Sequence, residues 1–152
     1  LIRVEADEVT FPAPVMVRYD PEKRFLLGEL RVTDLPEAWN AGMEQRLGLR
    51  PQNDVEGCLQ DVHWAIGSFG YFPAYALGAL IAAQLWEKVR ADREGLDAEI
   101  AKGEFGGLFG WLRENVHSLG AKPTVQELVK LATGRPLSAA PALRYLEAKY
   151  LE

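Results

Sequence analysis

The sequence predicts an all-α protein, and three observations carry that prediction. Helix-start and helix-stop signals recur along nearly the whole chain. The run AYALGALIAAQLW, Ala74 to Trp86, is apolar on every face, the mark of a helix buried on all sides. Thr124-Val125-Gln126-Glu127 is a capping box, in which hydroxyl and carboxylate each satisfy a free amide at a helix start. Repeats and low-complexity tracts are absent, so residues 1–152 read as one helical unit, with short extended pieces near 14–19 or 55–63.

Taken in order, residues 2–10 have a helical look, but Pro12 and Pro14 remove amide donors and predict a break near Thr10. Val15 to Tyr19 then reads as extended. Asp20-Pro21-Glu22 combines an N-cap acid, a first-turn proline and a second acid, which starts a short helix ending near Gly28. Asp34-Leu35-Pro36-Glu37 repeats the signal and opens a helix through Trp39, Met43 and Leu47, with Gly48 as its left-handed cap. Residues 48–72 lack a sustained period and read as an ordered, partly extended loop. After the apolar helix, Gly95 marks a break before a short helix over Leu96 to Lys102. Another helix runs from about Phe105 to His117, with Gly120 beyond it. The capping-box helix ends at Gly134. Ser138 then caps a last helix with Leu143, Leu146 and Tyr150 on one face.

Composition narrows the function. A net charge of −5, with basic residues scattered among acids, argues against a nucleic-acid partner, because phosphate binding needs a concentrated basic surface. No stretch reaches the roughly 18 apolar residues that a membrane span requires. Cys58 is the only cysteine, so an internal disulfide is excluded and a reducing, cytoplasmic setting is the simplest expectation. With two histidines far apart, no HExxH and no CxxC, these residues give no metal site of the usual kind.

The candidates for chemistry gather in GCLQDVHWAIGSFGYFPAY, Gly57 to Tyr75. In an extended conformation Asp61 and His63 project to the same side, and a neighbouring carboxylate or amide can fix an imidazole tautomer. Spacing alone favours a histidine that merely hydrogen-bonds across a loop. Tyr71 and Tyr75, four apart, can face one way and present two phenols to an oxyanion, although aromatic residues at that spacing are more often core. Arg3 lies in a charged cluster with Glu5, Asp7 and Glu8. A guanidinium suits a carboxylate, but an Arg3–Asp7 pair on a solvated helix face explains the cluster equally. Cys58 reads as a small buried apolar group and His117 as a helix C-terminal cation.

Two segments shift this balance. IRVEADE at 2–8 resembles the IRxxAD motif, and GCLQDVHW at 57–64 the GxxQDxHW motif, of the M32 family of metallocarboxypeptidases. FGYFPAYALG, DLPEAWN, GEFGGLFGWLRENVH and the final LRYLEAKY are similar to the same family, in family order. The resemblance implies a cytosolic, mostly helical enzyme, commonly a homodimer, that removes C-terminal residues from peptides with broad specificity. It implies one divalent metal, usually zinc, held by an HExxH helix and a downstream glutamate, all of which precede IRxxAD. The chain thus resembles the C-terminal portion of such an enzyme without its metal-binding part.

Under the resemblance His63 and Tyr71 or Tyr75 become transition-state donors. Gln60 and Asp61 position His63, and Arg3 reads the substrate carboxylate or its length. The chain departs from the family in FPAPVMVRYDP, whose three prolines replace an unbroken helical sequence. A second reading is a truncated, non-catalytic paralogue acting as a helical binding or assembly module. On the first reading the missing metal-binding portion and a peptide are the expected partners, with neither nucleic acid nor membrane.

Overall fold

The computed structural model describes residues 6–60 and 62–151; within them the elements are helices and turns, with no strand. Helix α1 spans Pro12–Leu26, α2 Leu35–Leu47, α3 Phe72–Asp92, α4 Leu96–Ala101, α5 Gly106–Asn115, α6 Val125–Thr133 and α7 Ala140–Tyr150. Short 3-10 turns occupy Val32–Asp34 and His117–Leu119. The chain divides into two compact units, residues 1–77 and 78–152.

In the first unit α1 corrects the sequence reading. The segment expected to be extended at 14–19 is helical, and the helix starts at Pro12 instead of Asp20. Pro12 and Pro14 lie in the first turn, where amides have no intrahelical acceptor, so neither forfeits a helix hydrogen bond. The expected break near Thr10 survives as a turn: Asp7 accepts amide hydrogens from Val9 and Thr10 at 2.9 Å, and helix follows. Pro21 sits inside the helix and gives up one bond, which burial of Pro14, Val15, Val17, Arg18 and Glu22 offsets.

Helix α2 forms where predicted, and Gly48 closes it at φ +65°. Asp34 gives it no side-chain cap; its carboxylate accepts two hydrogen bonds from Arg31, at 2.8 and 2.9 Å. Helices α1 and α2 pack closely at Gly42, where a Cβ would lie 3.5 Å from Val17 Cγ1. Val17, Leu35, Trp39, Met43 and Cys58 form the core of this unit, with Phe25, Leu47 and Trp64 against it.

The second unit is built around Val89, Leu96, Trp111 and Ala132. Most of its predicted boundaries hold, but α5, expected to run to His117, ends at Asn115, where Val116 (φ −126°) leaves helical geometry. Gly95 (φ +81°) precedes α4, the Thr124–Glu127 capping box starts α6, and Gly134 (φ +75°) ends it. Ser138 accepts the Ala140 amide at 3.2 Å, one residue before the helical geometry of α7 begins. The face of α7 carrying Leu143 and Tyr150 is exposed.

Helix α3 is apolar all round but not buried all round. Phe72, Gln84 and Val89 are buried, whereas Ala74, Leu77, Gly78, Ala79 and Ala82 are exposed. A Cβ on Gly78 would meet nothing within 4 Å among the described residues. No described helix is long and apolar enough to cross a membrane.

Candidate functional site

The described residues between α2 and α3 form a succession of turns, so the extended piece expected near 55–63 is corrected as well. Asn53 Oδ1 accepts the Glu56 amide at 3.0 Å, and the Asp54 carbonyl accepts amides from Gly57 and Leu59. Bonding within short turns satisfies these backbone groups locally, which removes any need for a strand partner. Space is tight at Gly57: a Cβ there would stand 3.2 Å from the Asn53 carbonyl and 3.5 Å from Trp39. Its neighbour Cys58 is buried in the core, and burial pushes the thiol pKa upward, with Asp54 adding to the effect.

A second turn carries the chemistry. The carbonyls of Val62, His63 and Trp64 accept the amides of Ile66, Ser68 and Gly67. Gly67 and Gly70 adopt left-handed backbone (φ +76° and +77°), which lets the chain double back and enter α3. The result sets His63, Tyr71, Phe72 and Tyr75 side by side. His63 Nε2 lies 3.1 Å from Tyr75 Oη. The imidazole lies near-parallel to the Tyr71 ring (centroids 5.7 Å, 28°) and 4.7 Å from Phe72. The two tyrosine rings meet edge-on at 5.3 Å. His63 and Tyr75 are half-buried, while Tyr71 is 51% exposed. This is a phenol–imidazole–phenol group with a dry floor and an open side.

Of the other predicted site residues, the Gln60 side-chain amide donates to the Glu56 carbonyl, within its own turn. Arg3 and Asp61 lie outside the described residues. Asp7, grouped with Arg3 in sequence, caps the turn before α1, and hydrogen bonds led by those from Thr10 hold its carboxyl below the usual carboxylate range.

Two residues that sequence reasoning passed over hold this arrangement from behind. Glu22 of α1, 1% exposed, accepts the Trp64 indole N–H at 2.8 Å and also the Gly70 amide. Arg18, equally buried, donates to the Pro14 carbonyl at 2.8 Å and lies over the faces of Trp39 and Phe72. Their signal was the spacing: four apart in a helix, both share the buried face with Pro14 and Val15.

Among the described residues no three His, Cys, Asp or Glu side chains converge as metal ligands.

Fold and cluster together define a helical protein that presents an imidazole and two phenols at a loop–helix junction. The sequence model of one family, Carboxypeptidase Taq (M32) metallopeptidase, matches residues 1–150, and the chain belongs to that family of metal-dependent hydrolases. It is 47% identical over 149 residues to carboxypeptidase 1 of Bacillus subtilis, covering 98% of this chain and 30% of that protein. The structure of an M32 carboxypeptidase from Deinococcus radiodurans matches 98% of the chain at 46% identity with a TM-score of 0.94. Metallocarboxypeptidase 1 of Trypanosoma cruzi matches 99% at 42% identity, again with a TM-score of 0.94. The chain spans 30% and 32%, respectively, of those two structures.

Proposed function

We propose that this chain supplies the non-metal wall of the cleft in a metallocarboxypeptidase that releases C-terminal residues from peptides with broad specificity. It acts as the C-terminal portion of the catalytic domain. The divalent metal, zinc by family resemblance, is held by residues outside these 152. The same resemblance supports a homodimer, and the single, buried Cys58 suits a cytoplasmic setting.

The observation that carries the reading is the 3.1 Å contact between His63 Nε2 and Tyr75 Oη beside the exposed Tyr71. Cleavage of a peptide bond develops negative charge on the scissile oxygen, and prearranged donors aimed at that charge lower the barrier. In the tautomer with a proton on Nε2, His63 donates to Tyr75 Oη, and the phenolic proton then points away from the ring nitrogen, toward an oxyanion. Phe72 and Trp64 keep the inner side of the pair dry, which strengthens both hydrogen bonds. By family resemblance Arg3 reads the substrate's terminal carboxylate or its length and Asp61 sets the approach of His63, while Gln60 braces the preceding turn through the Glu56 carbonyl.

The test is hydrolysis of blocked dipeptides by the full-length, metal-loaded protein. His63→Ala and Tyr75→Phe should each lower kcat by about 10²–10³, the usual cost of one oxyanion donor, with smaller changes in KM. The 152 residues alone should show no turnover. Retention of full kcat by both variants, or turnover by the isolated chain, would overturn the reading.

A further inference from the structure

We propose that Glu22 is the positioning residue of this site: its buried carboxylate ties both ends of the 64–70 turn to α1 and so fixes the chemical side chains that flank that turn. The proposal rests on the reading of His63 and the tyrosines given above.

The geometry is a two-point clamp. One carboxylate oxygen, Oε2, accepts the indole N–H of Trp64 at 2.8 Å; the other, Oε1, accepts the amide of Gly70. His63 immediately precedes Trp64 and Tyr71 immediately follows Gly70, so each functional residue sits one peptide from an anchor point. The Trp64 ring is lodged edge-on against Phe25, Trp39 and Phe72 at 5.8–6.3 Å. Packing therefore locates the indole, and the carboxylate fixes the direction of its N–H. At the other end, the left-handed backbone of Gly70 (φ +77°) turns its amide onto the same acceptor just before α3 begins.

Only a carboxylate meets this demand. Two donors converge on one planar fork, so each arm must end in an acceptor. A glutamine of the same shape offers one oxygen, and its –NH2 would face an N–H. An aspartate, shorter by a methylene, withdraws from both. With the clamp broken at one end, the turn is free to shift His63 relative to Tyr71 and Tyr75. A misplacement of about 1 Å in such a group is enough to cost about 10²-fold in rate.

The experiment uses the full-length, metal-loaded protein and the variants Glu22→Gln, Trp64→Phe, their double mutant and His63→Ala. Glu22→Gln should lower kcat by about 10- to 100-fold with KM changed less than about threefold, and should move the Trp64 indole resonance in the 1H–15N spectrum. Trp64→Phe keeps a ring and loses one arm, so its kcat should fall by less, about 3- to 10-fold. The double mutant should recover kcat relative to Glu22→Gln, because the single amide oxygen then has a single donor, Gly70 N–H. If the indole resonance moves while kcat stays within about twofold, Glu22 serves stability alone and the proposal fails. If Glu22→Gln does not fold, an unchanged kcat in Trp64→Phe overturns it, as do strictly multiplicative losses in a folded double mutant. His63→Ala separates the two ideas. A loss there with a silent Glu22→Gln defeats only the positioning role, whereas no loss there defeats the reading of the site and this proposal with it.

Discussion

Gln84 offers the sharpest test of what holds the second unit together. Its side chain is 1% exposed and works as a polar staple between α3 and the segment after α6. Nε2 donates among Thr133 Oγ1 (3.0 Å), the Pro136 carbonyl (3.1 Å) and the Arg135 carbonyl (3.3 Å). Oε1 accepts the Ser138 amide at 3.0 Å. Replacement by methionine keeps length and volume but removes every one of these partners. The one hydroxyl proton of Thr133 stays shared between the Val129 carbonyl at 2.7 Å and the Arg135 carbonyl at 3.1 Å. The Pro136 carbonyl and the Ser138 amide lose the partner that Gln84 gave them. An unsatisfied buried polar group costs about 1–3 kcal/mol, and these contacts are partly buried, so Gln84→Met should destabilise by about 2–4 kcal/mol. Urea unfolding followed by tryptophan fluorescence measures the loss, and hydrogen exchange locates it, with protection falling around 129–138 first. A loss below about 1 kcal/mol would refute the accounting, because two orphaned groups could not cost so little unless they were paired another way.

Two further predictions follow from titration. The Glu87 carboxyl is held below its ordinary value of 4.5 by hydrogen bonds from Arg135 first and Arg144 second. A carboxyl lowered in the folded state contributes stability that is present above its unfolded pKa and is lost as pH falls through the folded value. Its side chain is 35% exposed, so solvent screening keeps the contribution small. Glu87→Gln should flatten the fall in unfolding midpoint below pH 4.5, and an unchanged slope would count against the pairing. Cys58, raised by burial, should resist thiol reagents at pH 8 until urea unfolds the chain, and Cys58→Ala should leave kcat of the full-length protein unchanged. Rapid labelling of the native protein would contradict that placement.

Much of the second unit was legible because its signals are local. A capping box, left-handed glycines and amphipathic spacing act within one turn of chain, and Gly95, Thr124 and Gly134 end or begin helices where their chemistry requires. The first unit was misread at α1 because proline has two opposite meanings. Asp20-Pro21-Glu22 looks like a start, yet the start belongs to Pro12, and Pro21 is an interior residue tolerated for its packing. That one choice hid the back of the site. Placed at a first turn, Glu22 is a surface acid complementing a helix dipole; placed three turns in, on the face of Val15 and Arg18, it is a buried carboxylate that needs donors.

The same contrast explains which half of the candidate site could be read. His63, Tyr71 and Tyr75 carry recognisable chemistry, and a turn followed by a helix brings them together over 13 residues. Their supports come from far along the chain: Glu22 reaches Trp64 across 42 positions and Gly70 across 48. No periodicity links positions that distant; only packing of α1 on α2, which leaves Glu22 beneath the turn, makes the pairing. The polar groups hardest to see in the sequence are thus those whose loss is costliest, since a carboxylate buried at 1% exposure has no water to replace the donors it would lose.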